Sequence, residues 1–194
     1  AFMVKADVSK REEVSLMFNK VISEFGQIDI LVNNAGINKR GFFMDITDSE
    51  WDQIMSINLK GPFICSQEYF LNYRDYQAFG RIINISSVAS QYHGPKTVHY
   101  AVSKAGLNSL TKILSRYGAE KNILVNAVAP GLIITDQTKE EFESGQADAL
   151  LDLTLLKRPG EDNDVLATCL LLAEPQQNYI TGQVIAVSGG AYLG

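Results

Sequence analysis

Tyr100 and Lys104 are the two residues of this chain whose types and spacing most directly suggest chemistry. They stand four positions apart in YAVSK, a spacing that places both side chains on one face of a helix. An ammonium group beside a phenol favours the phenolate and lowers the pKa of the tyrosine from its ordinary value of about 10. A phenol tuned in this way can exchange a proton with a carbonyl or alcohol oxygen. The pair therefore predicts proton transfer coupled to hydride transfer.

A serine hydroxyl joins this pair in the predicted site. Ser87 lies at the end of GRIINISS, a run that predicts a strand, and its hydroxyl can hold the same substrate oxygen. The tyrosine–lysine spacing alone is weak, because an ordinary amphipathic helix carries it by chance. Two further runs, ILVNNAG and VNAVAPG, each lead from an apolar strand into a polar turn that ends in glycine. The order of these elements along one chain favours an active site over a non-catalytic α/β core.

Strand and helix patterns alternate along the whole chain. This alternation predicts a doubly wound parallel sheet with helices on both faces, a Rossmann-like α/β fold of three layers. The predicted strands cover residues 2–8, 28–33, 81–86, 123–129 and part of 180–190. Between them, helices are predicted after residue 9, from residue 47 to 69, from residue 100 to about 119, and over 162–173. The polar stretch 135–157 is interpreted as a mobile substrate lid.

Local signals mark the ends of these helices. Ser9 with Glu12 and Thr47 with Glu50 have the spacing of N-terminal capping boxes. Gly26 is predicted to end the first helix. Pro62 predicts a kink in the second helix, because a proline cannot donate the helical hydrogen bond. Side-chain positions are also predicted: Trp51 and both cysteines, Cys65 and Cys169, in the core, and His99 on the surface.

Composition restricts the class of protein. The 194 residues, 46% of them hydrophobic, predict one domain with an ordinary core. A net charge of −5 and scattered basic residues argue against a nucleic-acid partner. No stretch approaches the roughly 20 apolar residues of a membrane span. Two lone cysteines without metal-ligand spacing fit a reducing compartment, so a cytoplasmic location and no metal site are expected.

Together these motifs make the chain resemble the short-chain dehydrogenase/reductase family, in its compact form, over about residues 2–190. The resemblance implies an NAD(P)-dependent oxidoreductase in which Tyr100 is the acid/base. Lys104 then lowers the pKa of the tyrosine and binds the nicotinamide ribose, and Ser87 orients the substrate carbonyl. The same resemblance gives Asn58 the role of anchoring a water in a proton relay.

The resemblance also implies where the cofactor, NADP or NAD, is held. The NNAG run would line the adenosine side of the cleft, a turn near residue 7 would contact the adenine, and the PGLIIT run would hold the carboxamide. The implied cofactor-binding residues, besides Tyr100 and Lys104, are Asp7, Val8, Asn34, Ala35, Gly36, Pro130, Gly131, Ile133 and Thr135.

One family motif is missing from the sequence. The glycine-rich phosphate loop TGxxxGxG does not occur, and the chain opens in what is predicted to be the family's third strand. In the family roughly fifty residues precede that strand as a βαβα unit, which carries the pyrophosphate site and selects NAD or NADP. The sequence is therefore interpreted as one domain, 1–194, without its first βαβα unit; a short, non-catalytic paralogue is the alternative. Residues 2–8 would then lack a neighbour and expose the edge of 28–33, unless the two strands pair directly.

Within the family, EFGQIDILVNNAG, YAVSKAG and NYITGQVIAVSGG are most similar to reductases of 3-oxoacyl groups on acyl carrier protein. The expected substrate is a carbonyl compound, small or carrier-bound, with sugar and secondary-alcohol dehydrogenases as alternatives. An acidic carrier needs basic residues near the cleft mouth, for which Arg74 and Lys121 are candidates. His93 is a candidate substrate contact.

The family also implies a homodimer or homotetramer. The subunits would pair through the helices over residues 51–69 and 100–119, because these helices carry apolar residues on more than one face. The apolar residues that motivate this prediction are Ile64, Phe70, Leu107 and Leu110.

Overall fold

A computed structural model of the protein describes residues 1–74, 79–92, 96–135, 138–145, 147 and 151–193. Four strands form one parallel sheet in the order β1-β2-β3-β4. The strands are β1 (Ile30–Asn33), β2 (Gly80–Ile85), β3 (Ile123–Pro130) and β4 (Val184–Val187). The helices are α1 (Arg11–Phe25), α2 (Asp48–Met55), α3 (Gly61–Asn72), α4 (Val98–Ala119), α5 (Lys139–Glu143) and α6 (Asp162–Ala173).

Helices cover both faces of the sheet, as the alternating pattern predicted. Ile82 and Ile83 of β2 point to opposite faces, since successive side chains of a strand alternate. Ile82 packs in one cluster with Val14 of α1 and Tyr69 of α3. Ile83 packs in a second cluster with Leu172 of α6. This arrangement confirms the predicted α/β class with helix, sheet and helix layers.

The prediction of a strand at residues 2–8 is wrong. Residues 1–7 lie in no helix or strand, and within the described residues β1 pairs only with β2. A strand requires a hydrogen-bonded neighbour, and β1 does not provide one, so direct pairing of 2–8 with 28–33 does not occur. The edge of the sheet is open as expected, with Ile30 and Val32 of β1 exposed by 38% and 47%.

The two predicted capping boxes have different outcomes. At α2, Glu50 N donates to Thr47 Oγ1 and Thr47 N donates to Glu50 Oε2, so that box is confirmed. At α1 the box is wrong, because the helix begins at Arg11 and its N-cap residue makes no side-chain bond. Ser9 Oγ instead donates to Asp7 Oδ1 at 2.7 Å. Gly26, with φ of 83°, ends α1 as predicted.

The irregularity expected in the second helix lies just before Pro62. A turn of π-helix, Ser56–Lys60, separates α2 from α3. Pro62 has no N–H to donate to the carbonyl of Asn58, the residue four positions earlier. The regular α-helical pattern is therefore interrupted at Asn58, and the chain resumes it at Gly61.

Several side chains depart from the predicted burial. Trp51, expected in the core, is 37% exposed in the first turns of α2, whereas His99, expected on the surface, is 1% exposed. Cys65 is buried and Cys169 packs against the second cluster, in line with the expectation for the thiols. Ile64 and Leu107, expected at a subunit surface, are fully buried, and Ile64 packs in the first cluster.

Two predictions lie wholly or partly beyond what the structure describes. His93 is outside the described residues. The described part of 135–157 contains the short helix α5 and no strand, and the lid function of this stretch stays a prediction.

Candidate active site

The predicted catalytic side chains meet at the carboxyl ends of the strands, where parallel sheets of this kind bind ligands. Ser87 follows β2, Tyr100 and Lys104 project from the first turns of α4, and the NNAG turn follows β1. They surround a cavity of about 510 Å³. Its lining comprises Asn34, Gly36, Ile37, Asn38, Ile85, Ser86, Ser87, Tyr100, Lys104, Pro130, Gly131, Leu132, Ile133, Thr135 and Thr138.

Ser87 hydrogen bonds to the half-buried phenol of Tyr100. The Ser87 hydroxyl also accepts a hydrogen bond from Ala89 N at 3.1 Å, which fixes its position at the start of a short 3₁₀ turn. Its neighbour Ser86 is 3% exposed and donates to Asn108 Oδ1 at 2.5 Å, inside the protein. The structure therefore brings the hydroxyl of Ser87, rather than that of Ser86, to the phenol.

Lys104 is held firmly at the base of the cavity. Its Nζ donates to the carbonyl oxygen of Ile85 at 2.7 Å and lies 5.7 Å from the centroid of the Tyr100 ring. The side chain is 4% exposed, and burial lowers the pKa of Lys104 to about 8. An ammonium group has three N–H donors. Among the described residues only Ile85 receives one of them, so the others can bind a ligand in the cavity.

The sequence predicted a lowered pKa for Tyr100, and this direction is wrong when only the protein residues act on the phenol. Burial raises the pKa of the Tyr100 phenol, and the hydrogen bond from Ser87 lowers it by less. Lys104 does not reverse this: its ammonium is bonded to the Ile85 carbonyl, and its Nζ lies over the Tyr100 ring at 5.7 Å from the ring centroid. A phenol with a raised pKa keeps its proton at neutral pH, which suits a group that donates a proton.

Asn58 clamps two parts of the site together. Its fully buried amide accepts from Ile37 N at 2.9 Å and donates to Ile37 O at 2.8 Å and Ser103 Oγ at 3.2 Å. Ser103 Oγ in turn donates to Tyr100 O at 2.7 Å. The side chain thus fixes the loop after β1 against the first turns of α4. The role of anchoring a water stays a prediction, and the side chain's own bonds are made to protein atoms.

The structure brings most of the predicted cofactor residues together, but not all of them. Six of the nine line the cavity: Asn34, Gly36, Pro130, Gly131, Ile133 and Thr135. Ala35 lies in the same exposed turn between Asn34 and Gly36. Asp7 and Val8 do not line it. Asp7 accepts from Ser9, and Val8 packs against the first cluster and touches Gly61 so closely that a Cβ there would lie 2.8 Å from Val8 Cγ2.

The cavity fits the group that the sequence implied. The Lys104 ammonium offers donors to sugar hydroxyls, and a Cβ added to Gly36 would stand 3.5 Å from Lys104 Nζ, in the space beside it. A second, largely apolar cavity of about 510 Å³ lies between the sheet and α6. It shares five lining residues with the first, namely Asn34, Ile85, Pro130, Ile133 and Thr135. A polar cleft joined to an apolar one can hold a ligand with both sugar and aromatic parts.

A chain of buried polar side chains supports the site and was not found from the sequence. Asn33 Nδ2 donates to Asn84 Oδ1, and Asn84 Nδ2 donates to Thr111 Oγ1, both at 2.8 Å. These bonds connect β1, β2 and α4 through the interior. The available signal was the asparagine in the otherwise apolar run IINI, since a buried amide requires partners.

The two basic residues proposed for the cleft mouth lie elsewhere in the subunit. Arg74 follows α3 and Lys121 precedes β3, so both are at the amino ends of the strands, opposite the catalytic cavity. The basic residues near that cavity are Lys39, Arg40 and Lys96, which sequence reasoning did not select. Among the described residues there is no group of three or more potential metal ligands. Nor does any described helix have the length and hydropathy to cross a membrane.

Comparison with known proteins identifies the family of the chain. Residues 1–192 match the family model described as Enoyl-(Acyl carrier protein) reductase. The chain is 42% identical over 193 residues to 3-oxoacyl-[acyl-carrier-protein] reductase FabG of Staphylococcus epidermidis, covering all of this chain and 78% of that protein. It is 39% identical to FabG of Thermotoga maritima, and the match covers 96% of this chain and 75% of that protein. It is 37% identical to the 3-oxoacyl-[acyl-carrier-protein] reductase of Synechocystis sp., and the match covers all of this chain and 76% of that protein.

The chain belongs to the short-chain dehydrogenase/reductase family. It is therefore an oxidoreductase of the class that works with a nicotinamide cofactor.

Proposed function

We propose that this chain forms the catalytic part of a reductase that converts a 3-oxoacyl thioester, carried on an acyl carrier protein, into the 3-hydroxyacyl thioester. The observation that carries the proposal is the cluster of Tyr100, Ser87 and Lys104 around one cavity at the carboxyl ends of the strands. The relatives named above, which act on 3-oxoacyl groups by their names, support this substrate class.

The residues of the site have distinct tasks in this reaction. The cofactor, when bound, supplies a hydride to the carbonyl carbon. Tyr100 donates its phenolic proton to the carbonyl oxygen, and the raised pKa keeps that proton available at neutral pH. Ser87 binds the same oxygen and stabilises the negative charge that develops there. Asn58 keeps the loop after β1 and the start of α4 in register, so that the phenol and the cofactor cleft stay aligned.

Lys104 and the three turns at the strand ends would hold the cofactor. The free N–H groups of Lys104 suit the ribose hydroxyls, and Ile133 and Thr135, which line the cavity, would hold the carboxamide as the family resemblance implies. Asn34, Ala35 and Gly36 would line the adenosine side. Either NADP or NAD fits this assignment. Asp7 and Val8, which lie off the cavity, have no place in it.

The proposed setting of this chain is one soluble domain over residues 1–194 in the cytoplasm, acting on a small-molecule or carrier-bound carbonyl substrate as a homodimer or homotetramer. A second candidate function is a non-catalytic paralogue that does not bind the dinucleotide. Titration of NADPH and NADH by fluorescence, with this chain and with the chain extended by the N-terminal segment of the Staphylococcus epidermidis relative, separates the two candidates. Binding restored by the extension supports the reductase, and no binding in either form supports the paralogue.

The substrate assignment is tested by the extended form in an absorbance assay of NADPH or NADH consumption. A 3-oxoacyl thioester should be reduced with a higher kcat/KM than a ketose or a simple secondary ketone. A preference for the sugar or the ketone, of more than tenfold, would replace the proposed function by a sugar or alcohol dehydrogenase.

A further inference from the structure

A row of three side chains on α4 holds the end of β2 and the segment that follows it. Tyr100, Lys104 and Asn108 stand four residues apart, so they lie on one face of the helix. Tyr100 hydrogen bonds to Ser87, and the Lys104 ammonium donates to the carbonyl oxygen of Ile85. Asn108 is the third member of this row, and no step of the proposed reaction uses it.

Asn108 bonds to a serine on each side of Ser87. Its Oδ1 accepts from Ser86 Oγ at 2.5 Å, and its Nδ2 donates to Ser90 Oγ at 2.8 Å. Ser86 and Ser90 are only 3% and 7% exposed, so water has little access to either hydroxyl. Ser87 therefore lies in a short segment, 86–90, whose two ends are held by one amide.

Two further bonds carry this constraint from Ser90 to Ser87 itself. Ser90 Oγ donates to the carbonyl oxygen of Ser87 at 2.5 Å, and Ser90 N donates to the same oxygen at 3.0 Å. The hydroxyl of Ser87, in turn, accepts from Ala89 N at 3.1 Å. Asn108 is thus connected through Ser90 to the main chain of the residue whose hydroxyl meets the phenol of Tyr100.

The partners of Asn108 determine which way its amide points. A serine hydroxyl has a single hydrogen, and that of Ser90 is donated to the carbonyl oxygen of Ser87. Ser90 Oγ is then an acceptor toward Asn108, which must present its NH₂ group there. The amide oxygen is left to receive the hydrogen of Ser86 Oγ. One orientation of the amide therefore satisfies both serines together with Ser87.

An asparagine at this position also has a cost for the helix. Asn108 lies in the middle of the 22-residue helix α4. Asparagine is unfavourable in helix interiors, because its side chain competes for main-chain hydrogen bonds in other conformations. In this structure the two bonds of the amide go instead to the segment 86–90. The residue type at position 108 thus serves a contact outside its own helix.

We propose that Asn108 is a positioning residue, which holds Ser87 where its hydroxyl meets the phenol of Tyr100 and the substrate oxygen together. Its consequence for turnover rests on the proposed function, whereas the contact between Ser87 and Tyr100 belongs to the protein alone. A misplacement of about 1 Å at a reacting group can cost about a hundredfold in rate. A residue that touches no substrate can therefore control the reaction through the serine.

The contact between Ser87 and the phenol can be measured without turnover. Hydrogen bonding at the phenolic oxygen changes the ¹³Cζ chemical shift of a tyrosine, and the Tyr100 resonance is identified as the one missing from Tyr100→Phe. Ser87→Ala gives the shift of the phenol without this bond. Asn108→Leu loses both serine contacts while leucine favours the helix, and it should move the resonance most of the way to the Ser87→Ala value. Ser90→Ala should move it in the same direction.

Asn126→Leu is the matched control for this measurement. Asn126 is 1% exposed, and its amide likewise donates one bond, to Ile180 O, and accepts one, from Gln183 N. The variant makes the same substitution away from the segment 86–90 and should leave the Tyr100 resonance in place. In the extended form, with a 3-oxoacyl thioester as substrate, Asn108→Leu should lower kcat about tenfold with little change in the KM for NADPH. It should have no further effect on kcat once Ser87 is alanine.

The outcomes separate this role from a general effect on stability. A Tyr100 resonance that keeps its wild-type shift in both Asn108→Leu and Ser90→Ala overturns the proposal, and so does an equal displacement in Asn126→Leu. A further displacement by Asn108→Leu in the Ser87→Ala background also overturns it. If Asn108→Leu does not fold, as judged by circular dichroism, Ser90→Ala decides the test. A displaced resonance in an extended form that reduces no carbonyl compound supports the positioning of Ser87 and contradicts the reductase proposal.

Discussion

The Nζ atom of Lys104 lies 2.7 Å from the carbonyl oxygen of Ile85, the last residue of β2. This bond fastens the second turn of α4 to the strand that leads into Ser87. Burial brings the pKa of the lysine down to about 8. Two roles expected of one residue are thereby separated: Lys104 holds the site together and can bind a ligand, while Ser87 contacts the phenol.

The buried lysine should make stability depend on pH between about 7.5 and 9.5. The pKa of Lys104 is about 8 in the folded protein, against 10.5 for an unperturbed lysine, so the unfolded state binds more protons in this range. Stability from this group therefore rises with pH, by about 2 kcal/mol across the range. Cys65 and Tyr100 act oppositely, because burial raises the pKa of each acid. Urea unfolding of wild type and of Lys104→Met separates the contribution of the lysine from those of the other groups. The free energy of unfolding of the variant, minus that of the wild type, should fall by about 2 kcal/mol from pH 7.5 to 9.5. A difference that stays constant would contradict the assigned pKa.

Tyr100→Phe should abolish nearly all turnover and leave cofactor affinity almost unchanged. The phenolic proton is used only in the transition state, whereas the ring keeps its packing. Steady-state kinetics and NADPH fluorescence, both on the extended form, measure the two effects. Lys104→Met should damage both quantities, since this residue faces the cofactor cleft. A Tyr100→Phe variant that keeps more than a tenth of the wild-type kcat would remove Tyr100 from the mechanism.

The adjacent serines should separate catalysis from stability. Ser87→Ala removes the hydroxyl that bonds to Tyr100 and should lower kcat by about a hundredfold, with little change in the free energy of unfolding. Ser86→Ala removes a buried hydrogen bond to Asn108 and should cost about 1 kcal/mol of stability, with a smaller loss of kcat. Each variant is the control for the other. The reverse assignment of the two effects would show that Ser86 is the residue that contacts substrate.

Arg81 should be essential for stability although it lies far from the reaction. Its side chain has no exposed surface and donates to the carbonyls of Gly80, Glu174, Pro175 and Gln177 and to Asn178 Oδ1. Arg81→Met leaves these acceptors without their donor and should cost about 3 kcal/mol or more in urea unfolding. Arg11→Met, at an exposed arginine of α1, is the matched control and should change the free energy of unfolding by less than about 0.5 kcal/mol.

Subunit pairing, if it occurs as predicted, should use the groove between the two long helical segments. The groove is lined by Met55, Leu59, Phe63, Gly106, Leu110 and Ile113, with Phe63 and Ile113 exposed by 43% and 50%. A glutamate in place of Ile113 would bring a charge to this apolar surface and should yield monomers in light scattering at micromolar concentration. Tyr117→Glu, at an exposed position one turn further along α4, gives a measure of how far the interface extends. Wild-type protein that is monomeric under these conditions would contradict the prediction of assembly.

Sequence patterns predicted what is encoded locally. Helical spacing placed Tyr100 and Lys104 together, the apolar runs gave β1, β2 and β3, and the turns after them gave most of the cavity lining. The predictions that were wrong concern features that depend on contacts between residues distant in the sequence. A strand at 2–8 requires a neighbour, and the burial of His99 requires the segment around residues 39–46 to fold over the start of α4. The pKa of Tyr100 depends on which atom the lysine reaches, and that atom belongs to a strand nineteen residues earlier.

The position of Asn58 depends on the π turn at Ser56–Lys60 and on the number of residues in it. A π turn accommodates one residue more than an α-helix needs for the same path. Deleting Ile57 would let the segment relax into a continuous helix, and α3 could keep its packing. Asn58 would then be displaced around the helix axis, away from Ile37 and Ser103. A deletion of a single hydrophobic residue could therefore leave a folded protein whose cavity has lost the connection between its two walls.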